Sequence, residues 1–457
     1  MTRRRIVIVG AGMAAARLAD GLGDHEVVML GDEPHAPYNR ILLSAVLEGT
    51  HSPEALRLRL ADHVDLRLGT RVVEIHRDEQ ELELADRSRV PYDALVLATG
   101  SIPTLPPIRG LVRMDGRLDE RVHAFRSLED CLRLDAAVPR STRAVVVGGG
   151  LLGLQVARAI AVRGLRTEVV EGGDHLLRTQ VDPAAGAILG RGLAKLGTEV
   201  YTGARATRLT GAGLVLDNGY TLESDLVVLT AGGRPSTALA RRADLEVRRG
   251  IVVDDRLRTS DPSIHAIGDC AQHDGRVTGF VPPAWDQAAV LARILNGDPA
   301  TYDGHRNVAR LRATGLDVAV LGDPLNAEGE VVEVANPVTG SHRKLVVRDG
   351  VVVAATLVGD LSRVGLITQH FDRRTVLGPQ EPGALLMPEP TAAPPALPDD
   401  AEVCACAGVS AGAIRACASL DEARDRTRAT TGCGGCSPTV RELLATRTTP
   451  QLEGTPA

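Results

Sequence analysis

Aromatic residues make up only 2% of this 457-residue chain: three Phe, five Tyr and one Trp. That scarcity excludes a base-stacking platform for RNA and the aromatic belts of a membrane protein. Lysine is rarer than tyrosine, with Lys195 and Lys344 alone among 52 basic residues, and the arginine bias reads as GC-rich coding. Net charge is −6, so no basic excess points to nucleic acid. No apolar run reaches the roughly 20 residues that a membrane-spanning helix needs. Arg3–Arg5 precede an apolar stretch, but Arg17 and Asp20 interrupt it at once, unlike a leader peptide. No Gly-x-Ser-x-Gly elbow suggests an esterase, the one such string, Gly408–Gly412, lying inside the C-terminal cysteine segment, and no His/Glu constellation suggests a hydrolytic metal. Seven cysteines, four of them in one motif, make no disulfide framework, so a reducing, cytoplasmic setting is expected.

Glycine, by contrast, is abundant and patterned. An apolar run at 4–9 leads into Gly10-Ala11-Gly12-Met13-Ala14-Ala15, a helix-like stretch to Leu22, and a second apolar run, Val27–Leu30, ending at Gly31-Asp32-Glu33. This is a β-α-β unit with a dinucleotide fingerprint, in which glycines let the backbone approach a pyrophosphate at a helix N-terminus. Asp32 or Glu33 is placed to accept a ribose hydroxyl; a mere tight turn is the alternative. Roughly 140 residues on, the grammar restarts. Ala144–Val147 precedes Gly148-Gly149-Gly150-Leu151-Leu152-Gly153, and Thr167–Val170 ends at Glu171. A carboxylate there favours NADH and repels the 2′-phosphate of NADPH, although Arg178 stands nearby in sequence. Two fingerprints imply two dinucleotides.

Strand-like segments occupy much of 66–97 and 198–230, and residues 305–376 are β-rich, with Asp349-Gly350 as a hairpin turn. Seven prolines between 378 and 400 read as an extended linker, and 447–457 as a polar tail. Between them lie Cys404, Cys406, Cys433 and Cys436, a C-x-C … C-x-x-C quartet. Four thiolates can hold a 2Fe–2S cluster or a zinc ion. C-x-C is less typical of structural zinc than paired C-x-x-C. Ser419-Leu420-Asp421-Glu422 reads as a capping box. Arg424, Arg426 and Arg428 make the helix behind it basic, which offsets cluster charge or is simply a solvated face. Cys417 reads as core.

Further motifs carry a family resemblance. The segments Tyr92–Gly100, containing Ala98-Thr99-Gly100, and Ile264–Asp269 resemble the ATG and second FAD motifs of the two-dinucleotide flavoprotein reductases. Asp225–Leu229 with Ala231-Gly232-Gly233-Arg234-Pro235 looks like the close of their NAD domain. The resemblance implies FAD on Gly10, Gly12, Met13 and Ala14, with Gly268 and Asp269 at its ribityl chain and Pro283–Trp285 against the isoalloxazine. It implies NADH on Gly148, Gly150, Leu151, Leu152, Gly153 and Glu171. Pro37-Tyr38-Asn39-Arg40-Ile41-Leu42-Leu43-Ser44, after Gly31–His35, resembles the flavoprotein part of assimilatory NADH nitrite reductase large subunits and of nitrate reductase electron-transfer subunits. Arg40 then contacts FAD, with a surface salt bridge as the bland alternative. No cysteine lies in 37–45, and Cys131 and Cys270 are isolated, so a dithiol mechanism is not expected. Gln155 and Ala45 depart from patterns common in related reductases.

The segments around the quartet resemble the bacterioferritin-associated-ferredoxin-like domain, although 26 residues between Cys406 and Cys433 make a short loop.

The expected fold is α/β: two Rossmann-like domains, a small β-rich domain and a small helical Fe–S domain. The expected boundaries are 1–115 with 236–300 for FAD, 116–235 for NAD, 301–376 for the small reductase domain, 377–400 for the linker and 401–446 for the cluster. The sequence holds no cysteines for a siroheme and 4Fe–4S half. Electrons from NADH are therefore expected to pass through FAD and the cluster to a separate nitrite or nitrate reductase subunit. A reductase for a ferredoxin, rubredoxin or oxygenase is the second reading, and a non-catalytic redox sensor the third. Hydride transfer needs alignment rather than an acid or base, so no catalytic proton carrier is expected.

Overall fold

The computed structural model describes residues 3–387, 397–432 and 434–445. They divide into two compact units, one holding most of residues 3–387 and one holding the C-terminal cysteine segment.

Short Val/Ile/Leu runs bounded by glycine give strands buried on both faces, as parallel sheets require. The first five-stranded sheet runs Ile264–Ala266, Ala94–Leu97, Arg5–Val9, Glu26–Leu30, Val64–Arg67 in spatial order. Its pairings are parallel throughout. The second is also parallel: Glu199–Thr202, Arg166–Glu171, Arg143–Val147, Leu226–Leu229, Val122–Ala124. In each, the central strand leads through a glycine turn into a helix, Met13–Asp20 or Leu151–Val162. Side-chain-free turns are obligatory here. Gly10 has φ +111°, and a Cβ on it would lie 2.2 Å from the Ala98 carbonyl oxygen. At Gly153 a Cβ would lie 1.8 Å from the Gly148 carbonyl oxygen, so the helix crosses its strand at a distance only glycine permits.

Residues 308–358 form a five-stranded antiparallel sheet. Ser341–Arg348 and Val351–Val358 are joined at Asp349 (φ +52°) and Gly350 (φ +75°), both left-handed as a tight hairpin needs. The helix Val364–Arg373 covers this sheet through Ile367 and Phe371, both fully buried. Lys344 reaches from the sheet to Asp182, 3.2 Å away, at the N-cap of the helix Pro183–Lys195.

The first part of the segment expected as a linker over 377–400 is folded. Glu381–Leu386 is helical, Leu385 and Leu386 join the core of the antiparallel domain, and the Arg343 guanidinium donates to the Leu386 carbonyl at 2.6 Å. Proline in the first helical turn starts a helix as readily as it breaks one. That dual meaning is why composition misled there. The rest of the proline-rich segment, 388–396, lies outside the described residues, as does the tail.

In the second unit, Glu402–Cys404 pairs antiparallel with Val409–Ser410, and three helices follow: Ala411–Arg415, Leu420–Thr427 and Ser437–Ala445. The Ser419 hydroxyl accepts the Glu422 N–H at 3.1 Å, while the Glu422 carboxylate takes the Ala418 N–H at 2.6 Å. Ile414, Cys417, Ala423 and Val440 form its core. Among the described residues, no helix is long and apolar enough to cross a membrane.

Candidate cofactor sites and electron-transfer centre

The helix Met13–Asp20 starts at Gly12 without a side-chain cap, and no atom lies within 4 Å of where a Gly12 Cβ would stand. An uncapped, open amide pole fits an anionic pyrophosphate. Met13 and Ala14 sit in its first turn. Sequence left Asp32 and Glu33 as alternatives, and the structure gives them different surroundings. Asp32 is on the surface in a two-pronged pair with Arg71, both contacts 2.9 Å. Glu33 faces inward, accepting the Tyr38 hydroxyl at 2.7 Å and pairing with Arg40. Arg40 in turn donates to the Arg126 carbonyl at 3.3 Å. Burial works against charge on Arg40, but the facing Tyr38 and Glu33 carry its pKa above the ordinary guanidinium value. Burial, with Glu33 beside it, pushes the Tyr38 phenol up.

Asp269 follows Gly268, whose φ of +75° turns the chain and whose N–H donates to Gln287 at 2.7 Å. The Asp269 carboxylate accepts from Ser101 at 2.9 Å and from the Arg126 guanidinium at 2.5 Å. Sequence reading missed Arg126. It lies 143 residues from Asp269, in a crossover segment with no motif, and nothing local signals the encounter. Thr99 donates to the Ser236 carbonyl at 2.7 Å, and the Ser236 N–H to Gly100 at 2.9 Å. The Thr104 N–H bonds the Gly232 carbonyl at 2.9 Å. Thr99 and Gly100 thus meet Ser236, and Thr104 meets Gly232, where the chain crosses between the two sheets, while the Ala98 N–H bonds the Val9 carbonyl at 2.9 Å. Trp285 is half-buried near the start of the helix Val281–Leu295.

Gly150 opens the second fingerprint helix in the same way as Gly12, with no side-chain cap and no atom within 4 Å of a would-be Cβ. Leu151 and Leu152 form its first turn. The Glu171 carboxylate accepts the Gly149 N–H through one oxygen and the Gly173 N–H through the other, each at 2.7 Å. Arg178 lies 3.3 Å away and covers Gly173, where a Cβ would stand 2.0 Å from the Arg178 Cδ. The acid is therefore ordered in advance, and the cation expected to complicate selectivity is paired with it.

The isolated thiols are inert. Cys131 donates to Leu43 at 3.3 Å and burial pushes its pKa up to about 12. Cys270 donates to Leu97 and Ile267 and is also raised by burial. Neither is a thiolate at neutral pH, so neither is a redox nucleophile.

In the second unit Cys404 and Cys436 are buried and Cys406 is exposed. A Cβ on Gly432 would lie 2.7 Å from the Cys406 Cβ, so the C-x-C and C-x-x-C loops pack against each other. The Thr430 N–H donates to the Cys436 Sγ at 3.3 Å. Cys433 lies outside the described residues. Three described sulfurs on two converging loops, one with an amide aimed at it, fit an iron–sulfur cluster.

Residues 4–288 match the family model described as pyridine nucleotide-disulphide oxidoreductase, and residues 402–446 match that of the BFD-like [2Fe-2S] binding domain. The chain is 33% identical to the nitrite reductase [NAD(P)H] of Bacillus subtilis, over 97% of this chain and 58% of the relative. It is 32% identical to the assimilatory nitrate reductase electron transfer subunit of the same organism, over 97% and 60% respectively. The chain thus spans little more than half the length of these relatives. The structure is similar to putidaredoxin reductase in its covalent complex with putidaredoxin (TM-score 0.76, 26% identity, 84% of this chain and 96% of that one).

Proposed function

Because the chain belongs to the pyridine nucleotide-disulphide oxidoreductase family, as an NAD(P)H-dependent flavin oxidoreductase with a [2Fe-2S] domain, we propose that it draws electrons from NADH and delivers them singly to a separate nitrite or nitrate reductase subunit. The carrying observation is the pair of converging cysteine loops in a chain whose reductase unit has two inert thiols of its own. Electrons then have a metal exit and no dithiol exit. NADH is favoured over NADPH by Glu171, held by two backbone N–H groups where a 2′-phosphate would meet its charge.

Bound FAD supplies the conversion between two-electron and one-electron transfer. The chain's residues bind and align. The amide pole behind Gly12 takes the FAD pyrophosphate, Glu33 its ribose, and Arg40, Arg126 and Asp269 the chain toward the ring. The pole behind Gly150 takes the NADH pyrophosphate. We assign 1–115 with 236–300 to FAD and 116–235 to NADH.

A reductase for a ferredoxin- or rubredoxin-type acceptor is the second reading, supported by the likeness to putidaredoxin reductase. Anaerobic purification with iron and flavin analysis, followed by NADH-driven turnover against nitrite reductase, nitrate reductase and ferredoxin partners, separates the two. Turnover with ferredoxins alone overturns the first reading. Failure of NADH to bleach the flavin revives the redox-sensor reading.

A further inference from the structure

Thr430 carries a β-branched side chain at φ +69°. Such residues are outliers in this left-handed region, and the conformation persists only where the surroundings hold it. Arg424 does the holding. Its guanidinium donates to the Thr430 Oγ1 at 3.3 Å, and its carbonyl accepts the N–H of Arg428, itself at φ +63°, at 2.9 Å. Asp421 steadies the same guanidinium at 3.1 Å. The turn between helix and C-x-x-C loop is thus gripped at both ends by one residue. Its product is the buried Thr430 N–H donated to the Cys436 Sγ at 3.3 Å.

We propose that Arg424, acting through Thr430, is a positioning residue that raises the reduction potential of the cluster held at Cys436. The inference rests on the [2Fe–2S] reading of the quartet. Reduction adds one electron, taken from the reduced flavin, and one negative charge to the cluster, without a proton. An amide dipole fixed on a ligand sulfur favours that added charge. If the turn relaxes, the dipole swings away and the cluster becomes harder to reduce.

The test is an anaerobic redox titration of the full chain followed by electron paramagnetic resonance, with iron measured in every sample. Thr430→Val keeps the branched shape and the arginine charge but removes the hydroxyl. Arg424→Gln removes the charge. Each is expected to lower the reduced-to-oxidised ratio at fixed potential about tenfold, ~59 mV for one electron, with iron retained. The double variant is expected to shift no further than the larger single one. Arg424→Lys restores a charged donor and is expected to recover most of the potential. Unmoved potentials with iron retained, or fully additive shifts, overturn the proposal. If Thr430→Val loses its iron, the Gln and Lys variants at 424 decide alone, and a Lys variant no better than Gln overturns it. An unsubstituted chain without iron or signal overturns the cluster reading itself, before any variant is made.

Discussion

Glu171 holds the Gly149 N–H at 2.7 Å, so the acid we propose to choose the nucleotide also shapes the glycine loop of the second fingerprint. Removing it does two things at once. Glu171→Ala is expected to weaken NADH use and release Arg178 toward a 2′-phosphate. Hydrogen bonds to a charged group are worth about 1.5–3 kcal/mol, so the NADH:NADPH ratio of kcat/KM should fall roughly ten- to a hundredfold. Steady-state kinetics with both nucleotides checks this. An unchanged ratio would remove Glu171 from selectivity.

Gly153 separates the two dinucleotide sites experimentally. A methyl group there meets the Gly148 carbonyl at 1.8 Å, and overpacking costs about 1–3 kcal/mol. Gly153→Ala should keep its flavin yet reduce it at least tenfold more slowly with NADH, while dithionite reduces it normally. Loss of flavin from this variant would mean that the two sites are not independent.

Arg126 and Asp269 should fail together. Asp269→Asn leaves the Arg126 guanidinium without its carboxylate partner, and Arg126→Ala leaves Asp269 with Ser101 alone. Both variants are expected to come off purification with substoichiometric FAD, their affinity lowered roughly tenfold or more for about 1.5–3 kcal/mol lost. Flavin-to-protein absorbance ratios read the result, and full flavin occupancy in Arg126→Ala would leave that residue merely structural.

Asp261 gives the fold a pH dependence. Burial raises its pKa, but Ser263 and Arg77 outweigh burial and hold the carboxyl below the ordinary value. A depressed carboxylate stabilises above its unfolded pKa of about 3.9, and that contribution is lost as pH falls through the folded value. Asp261→Asn should therefore lower Tm at pH 7, by a margin that narrows as pH falls below about 3.9. A Tm gap that persists undiminished at pH 3 would assign the effect to packing.

Both Rossmann units were legible because their signal is local: glycine spacing, an apolar run before and an acid after. The choice between Asp32 and Glu33 was not, because adjacent acids differ only in which arginine reaches them, Arg71 or Arg40. Arg126 was invisible for the same reason at longer range. The hairpin at Asp349-Gly350 could be read from a dipeptide, whereas the helix Glu381–Leu386 hid among prolines. At the quartet the spacing offered four candidate ligands, but the Arg424–Thr430 grip depends on backbone angles that no spacing encodes.

The scarcity of lysine has a practical side. Lys344 is half-buried against Asp182, whereas Lys195 stands exposed at the end of its helix. Apart from the α-amino group, an amine-reactive dye therefore has one accessible side chain, on the segment assigned to NADH. With a second dye on a cysteine introduced in the C-terminal unit, the separation of the two units could be followed by energy transfer through the catalytic cycle.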